Sequence, residues 1–176
     1  MELGLVQVYC GFGKGKTTAA IGQGIRATGR GLKVMMIQFI KGGPAGELNV
    51  LNKLEPDFQV FRFEKDRDFY FALSAEQKEE MKLEINQALK FVDEVMASKA
   101  CDLLILDEVL GVVENGIISE SDLKAKIKNR PSSMELILTG RKLPLSLVDD
   151  VDYISEISQA KHPYERGIDA REGIEY

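Results

Sequence analysis

Apolar residues recur along the chain in short runs, and the runs alternate between strand-like and helix-like spacing. Residues 3–10 are rich in β-branched positions, and residues 33–40 are nearly all apolar, as a strand covered on both faces should be. Residues 58–64 alternate and read as a strand. Residues 101–108 are the clearest buried strand, 134–140 another, and 152–161 the last. Between these runs the period lengthens. Residues 16–31 read as a helix, with Ala19, Ala20 and Ile25 available to pack and Gly29 and Gly31 as stop signals. Gly22 and Gly24 each cost about 1 kcal/mol against alanine and are read as permitting close packing on a sheet. Ser74 with Gln77 predicts a capping box for a long helix, whose inner face is marked by Met81, Ile85, Leu89, Val92 and Met96. Ser119 with Asp122 starts a further helix that ends before Pro131, and residues 143–151 read as a short helix. Residues 41–47 are a loop, and residues 162–176 an irregular tail. Strands alternating with helices predict an α/β domain, with a mainly parallel central sheet flanked by helices. The length fits a single domain over residues 1–176.

Open parallel sheets bind ligands at the carboxyl ends of their strands. Three segments with chemical potential follow predicted strands. The first is Gly11 to Thr18. The common phosphate loop is G-x-x-x-x-G-K-[ST]. Gly15, Lys16 and Thr17 supply its second half, but Cys10 stands where the first glycine is usual, and Gly11 is one residue later. Gly11, Gly13 and Gly15 let backbone N–H groups approach an anion. The helix beginning near Lys16 adds its positive end. Gly11, Phe12, Gly13, Lys14, Gly15, Lys16, Thr17 and Thr18 are therefore the candidate phosphate cradle. Lys16 neutralises charge, with Lys14 a second candidate, and the Thr17 hydroxyl is placed to ligate Mg²⁺.

The second segment is Asp107 and Glu108, either of which can hold Mg²⁺ opposite the loop while the other stands behind it. The third contains Arg141, read as a contact for phosphate or a substrate carboxylate, or as a surface arginine. Arg26 reads as a solvated helix residue, and His162, the one histidine, as a residue of the tail. Phe61 and Phe63 read as core. Phe69, Tyr70 and Phe71 are adjacent and cannot all point inward, so some should line a groove or a partner surface.

Composition narrows the partners. The 176 residues carry a net charge of −5, so no overall basic field draws in nucleic acid. Two distant cysteines, Cys10 and Cys101, give neither a disulfide framework nor zinc spacing, which fits a cytoplasmic protein. No signal peptide opens the chain, and no apolar run approaches the roughly 18 residues of a membrane span. The first strand begins almost at once, so an N-terminal extension ahead of it is not expected.

The stretches GFGKGKTTAA, RATGRGLKVMMIQFIKG, LLILDE, NRP and ILTGR, with the terminal pattern KH…G…A..GI.Y, resemble those of the cob(I)alamin (corrinoid) adenosyltransferases, in collinear order over nearly the whole chain. The resemblance implies a RecA-like P-loop fold and a homodimer. It implies transfer of the 5′-deoxyadenosyl group of ATP to Co(I) of a corrinoid, with release of triphosphate and with the nucleotide held in reversed polarity relative to ordinary P-loop NTPases. By the same resemblance Gly11 to Thr18 cradle the triphosphate, Thr17 and Glu108 are the Mg²⁺ partners, Lys16, Thr17 and Glu108 carry the catalysis, and a reduced flavoprotein supplies electrons. The family often sets a phenylalanine and a tryptophan before the long helix to hold the corrin. This chain has no tryptophan, and Phe63, Phe69, Tyr70 or Phe71 are the candidates for that role. Two other readings are a P-loop kinase or ATPase, which LLILDE suits although the loop lacks its first glycine, and a non-catalytic nucleotide- or corrinoid-binding module.

Overall fold

The structure is a computed structural model and describes residues 2–41, 43–68 and 70–174. Its strands are β1 (Val6–Cys10), β2 (Val34–Gln38), β3 (Phe58–Arg62), β4 (Leu103–Asp107), β5 (Glu135–Thr139) and β6 (Tyr153–Glu156). Its α-helices are α1 (Lys16–Thr28), α2 (Leu48–Leu51), α3 (Ala75–Ser98), α4 (Val109–Glu114) and α5 (Glu120–Asn129). The six strands form one sheet in the order β3-β2-β4-β5-β1-β6, and every neighbouring pair is parallel. The expected α/β class with a parallel sheet between helices is the observed one.

All five residues of β2 and of β4 are buried, which is why their sequences are apolar without alternation. Leu104 and Leu106 face the layer built by α3, α4 and α5. Leu103 and Ile105 face the layer of α1, with Ala20, Ile21 and Ala27. Residues from Met36 across Ile105 to Ile137 stand side by side on adjacent strands and continue that second core.

Both predicted capping boxes form. Ser74 accepts from the Gln77 N–H while its own N–H donates to the Gln77 side chain, and Ser119 and Asp122 repeat the exchange. Met81, Ile85, Leu89, Val92 and Met96 all lie on the buried face of α3. Helix α1 turns differently from its expected face. Ala20, Ile21, Gly24 and Ala27 point inward, whereas Ala19 and Ile25 are exposed. Gly24 is needed for close packing, because a Cβ there would sit 2.4 Å from the Phe58 ring. Gly22 has no such neighbour, and the packing reading does not hold for it.

Three boundaries also differ. Strand β6 stops at Glu156 instead of running to 161. Beyond it Ile157 donates to the Cys10 carbonyl at 2.8 Å and accepts from the Gly13 N–H at 2.8 Å, so the chain leaves the edge to close over the loop after β1. Residues 145–150 form a 3₁₀ turn, and another short one, Pro163–Arg166, interrupts the irregular tail. Helices α2 and α4 were not legible; they have four and six residues, too short to show a helical period.

Candidate active site

Because β1, β5 and β4 are adjacent and parallel, the loops that follow them open at one edge of the sheet. The loop after β1 runs from Gly11 to Gly15 and enters α1 at Lys16. Gly11 has φ of 109° and Gly15 φ of 120°, values that side chains rarely tolerate. Gly11 is also close to its neighbours: a Cβ there would meet the Ile157 carbonyl oxygen at 2.4 Å. The loop is thus gripped from behind by residues after β6 and from beside by Arg141, whose carbonyl accepts from the Gly11 N–H at 2.9 Å. Its free side borders a cleft of about 530 Å³. Lys14 to Thr18 line that cleft, whereas Gly11, Phe12 and Gly13 form the back of the turn, with Phe12 exposed. Lys41, Glu47 and Glu108 face the loop from across the opening, and Ile174 of the tail completes the wall.

The floor of the site is Asp107, at 0 % exposure. Four side chains from four segments donate to it. Thr17 Oγ1 lies 3.0 Å from Oδ1, Thr139 Oγ1 2.7 Å from Oδ1, Gln38 Nε2 3.1 Å from Oδ2, and Lys41 Nζ 2.7 Å from Oδ2. Lys41 also donates to the Thr17 hydroxyl at 2.7 Å. Arg62 holds the other end of Gln38, its Nε donating to Oε1 at 2.7 Å. A buried carboxylate is tolerated when its lone pairs are satisfied and a cation is close, and both conditions are met here.

Glu108 sits differently. It caps α4 with φ of 60°, and its N–H donates to Thr139 Oγ1 at 2.8 Å. This turn sends its side chain to the cleft instead of the floor. Burial and then the neighbouring Asp107 push its pKa up, while Lys41, Lys16 and Arg141 act to lower it. The ionised group is therefore stabilised by a nearby positive charge. Lys16 Nζ rests on the Gly13 carbonyl at 2.9 Å, at the N-terminus of α1. Lys14 Nζ donates to the Ile174 carbonyl at 2.7 Å, which ties the tail to the loop.

Other candidates fall elsewhere. The Arg141 side chain is exposed and outside the cleft wall, although its charge reaches Glu108. Arg26 is exposed, as expected. His162 caps the 3₁₀ turn of the tail, its Nδ1 accepting from the Tyr164 N–H. Phe61 and Phe63 pack on Phe91 of α3, with ring centroids 4.7 and 5.6 Å apart. Tyr70 is half-buried beneath Lys78, and Phe71 is 83 % exposed. Phe69 lies outside the described residues. Sequence reasoning did not single out Lys41 or Gln38. The available signal was a glutamine inside an otherwise apolar strand, followed three residues later by a lysine.

Residues 2–176 match the family described as ATP:corrinoid adenosyltransferase BtuR/CobO/CobP. The chain belongs to this family. A corrinoid adenosyltransferase of Escherichia coli K12 is 32 % identical to it over 176 residues, covering 99 % of this chain and 87 % of that protein. The corrinoid adenosyltransferase CobA of Salmonella typhimurium LT2 has the same identity and coverage. The Pseudomonas aeruginosa corrinoid adenosyltransferase is 30 % identical over 99 % of the chain and 85 % of its own length. Membership makes the chain an enzyme with ATP and a corrinoid as its substrates, and it gives the cleft beside the phosphate-type loop a ligand of the right charge. Among the described residues no helix is long and apolar enough to cross a membrane.

Proposed function

We propose that the cleft binds ATP with its triphosphate against residues 14–18 and its ribose C5′ turned toward the corrinoid, so that the protein catalyses deoxyadenosyl transfer with triphosphate as leaving group. The observation that carries this reading is the meeting of Lys16, the N-terminus of α1 and the Lys41–Thr17–Asp107 cluster on one cleft. In the transfer, the C5′–O bond to triphosphate breaks as a Co–C5′ bond forms, and the oxygen keeps the bonding pair. The nucleophile is the Co(I) centre of the substrate, so no side chain need remove a proton. Charge grows on the departing triphosphate, where fixed N–H dipoles and Lys16 stabilise it more in the transition state than in the ground state. Gly11 and Gly13 serve by shaping the turn.

Mg²⁺ fits this site. The Thr17 hydroxyl, the Asp107 carboxylate and the cleft-facing Glu108 are oxygen ligands, and the Lys41 ammonium already bridges Thr17 and Asp107 as a cation would. Among the described residues no three His, Cys, Asp or Glu side chains group closely enough to hold a metal by themselves. Thr17 and Glu108 would hold Mg²⁺, with Asp107 behind them, and the ion would neutralise triphosphate charge. A homodimer, a reduced flavoprotein donor and a cytoplasmic location complete the proposal; the free, buried Cys10 and Cys101 support the last of these.

Anaerobic incubation with ATP and a chemically reduced corrinoid tests the reaction. A light-sensitive organocobalt product and an equal amount of triphosphate are expected. Phosphate or diphosphate without organocobalt would establish a kinase or ATPase instead, and ATP binding without turnover a binding module.

A further inference from the structure

Neighbouring strands β2 and β4 end in register, Gln38 beside Asp107, and the Phe39 N–H continues the ladder to the Asp107 carbonyl at 2.9 Å. Each chain then turns through a left-handed residue. Among the described residues three that are not glycine have positive φ: Lys99 at 52°, Ile40 at 56° and Glu108 at 60°. Lys99 ends α3, where such a residue is ordinary. The other two stand at the edge of the nucleotide cleft, directly before Lys41 and directly after Asp107.

Ile40 is the unusual one. A β-branched residue is an outlier in this region, and glycine would hold the same turn without strain. Strained residues persist where their surroundings fix them, and they cluster at functional sites. Arg62 fixes the chain on both sides of Ile40, its Nε donating to Gln38 Oε1 and its Nη1 to the Gly43 carbonyl. Glu64, just past β3 and 7 % exposed, lies beside the turn: burial pushes its pKa up to about 7, while the backbone N–H groups of Glu64 and Ile40 draw it down. The Ile40 side chain packs against the layer of α3, α4 and α5 and comes to rest on Gly111, in the first turn of α4. A Cβ on Gly111 would meet Ile40 Cδ1 at 3.3 Å and Glu108 Oε2 at 3.5 Å. The bare face of Gly111 is thus shared by an isoleucine methyl and by the carboxylate that faces the cleft.

We propose that Ile40 is a positioning residue for the transfer reaction: its side chain, resting on Gly111, holds Glu108 toward the cleft, while its left-handed backbone turns Lys41 onto Thr17 and Asp107. The proposal rests on the nucleotide reading of the cleft and deepens it. Ile40 does not line that cleft and acts through Glu108 and Lys41, which do. The backbone part is visible in the Lys41 ammonium, 2.7 Å from both the Thr17 hydroxyl and Asp107 Oδ2. Glycine at position 40 would supply the turn but not the methyl, so the turn alone does not account for the side chain. The methyl removes one direction of retreat from Glu108, and Gly111 leaves room for both groups because it has no side chain of its own. A cleft carboxylate held in this way meets a metal ion without first being ordered.

The test is equilibrium titration with ATP, in the presence and absence of Mg²⁺, of wild type, Ile40→Gly, Gly111→Ala and the double variant Ile40→Val with Gly111→Ala. Wild type should bind ATP more tightly with Mg²⁺ than without. Ile40→Gly should cut that Mg²⁺-dependent gain by about 10-fold, with affinity for metal-free ATP within about 3-fold of wild type. Gly111→Ala, whose methyl presses on Ile40 Cδ1 and Glu108, should do the same. Ile40→Val removes Cδ1 and gives the new methyl its space, so the double variant should recover the gain to within about 3-fold of wild type. An unchanged Mg²⁺ gain in Ile40→Gly, or a loss in Gly111→Ala that Ile40→Val does not relieve, overturns the positioning role and leaves the nucleotide site standing. ATP binding that Mg²⁺ does not tighten in wild type overturns the metal site and this role with it, and no ATP binding overturns the nucleotide reading itself. If Ile40→Gly does not fold, the Gly111→Ala variant and its relief decide.

Discussion

Lys41 Nζ donates to Asp107 Oδ2 at 2.7 Å across 66 positions of sequence, and the same ammonium donates to the Thr17 hydroxyl at 2.7 Å. The phosphate loop and the end of β4 are thereby joined by a residue from the segment after β2. Lys41→Met should leave Asp107 buried without its cation while three neutral donors remain. We expect a loss of about 2 kcal/mol in urea unfolding at neutral pH. Mg²⁺ with ATP should restore part of it by bringing positive charge to the same oxygens. An unchanged midpoint would show that the ion pair contributes nothing.

The two acids at the end of β4 should separate by phenotype. Asp107 accepts from four side chains, whereas Glu108 faces the cleft. Glu108→Gln should raise the Mg²⁺ concentration needed for half-maximal activity by about 10-fold while leaving the unfolding midpoint nearly unchanged. Asp107→Asn should lower the midpoint and move the Mg²⁺ requirement less. A reversed order in Mg²⁺ titrations of the two variants would assign the metal to Asp107.

Lys16→Ala removes a charged donor from the loop at the start of α1. A charge-assisted contact is worth about 2 kcal/mol, so ATP affinity should fall roughly 30-fold. Equilibrium titration with ATP checks this, and wild-type affinity would remove Lys16 from the phosphate site.

Gly11 and Gly15 share positive φ but not their surroundings. A methyl group at Gly15 meets nothing within 4 Å, while one at Gly11 collides with the Ile157 carbonyl. Gly15→Ala should cost about 1–2 kcal/mol from backbone strain alone. Gly11→Ala should cost more than that and should loosen the β6 edge, visible as faster amide exchange at Ile157. Equal destabilisation of the two variants would mean that the packing of 157–158 on the loop is weak.

Glu64 predicts a pH dependence of stability. Its folded pKa of about 7 lies above the reference value of 4.5, so the folded protein holds the proton more tightly. The contribution is fully present below about pH 4.5 and is lost as pH rises through about 7. Relative to Glu64→Gln, wild type should lose up to about 3 kcal/mol across that window. Parallel denaturation curves for the two proteins at all pH values would contradict it.

Much of the fold was legible because its strands are covered on both faces. The run of Leu103 to Leu106 admits almost no position but the middle of a sheet, and the capping boxes at Ser74 and Ser119 mark helix starts by local hydrogen bonding alone. The loop glycines and Lys16 were legible for the same reason, since strand, turn and helix follow one another in sequence. The extent of β6 was not. Ile157 and Ser158 look strand-like, but an edge strand has one neighbour, and closure over Gly11 and Gly13 outweighs continued pairing.

The amino-acid sequence by itself determined the alternation of strands and helices, the parallel sheet and the position of a phosphate-type loop at its edge. Each of these follows from spacing within a dozen residues. Tertiary structure alone decided that Asp107 lies under Lys41, Gln38, Thr17 and Thr139, and that Glu64 is buried just past β3. Those contacts depend on β4 lying between β2 and β5. Strand order is set by how whole layers pack, and no local period records it.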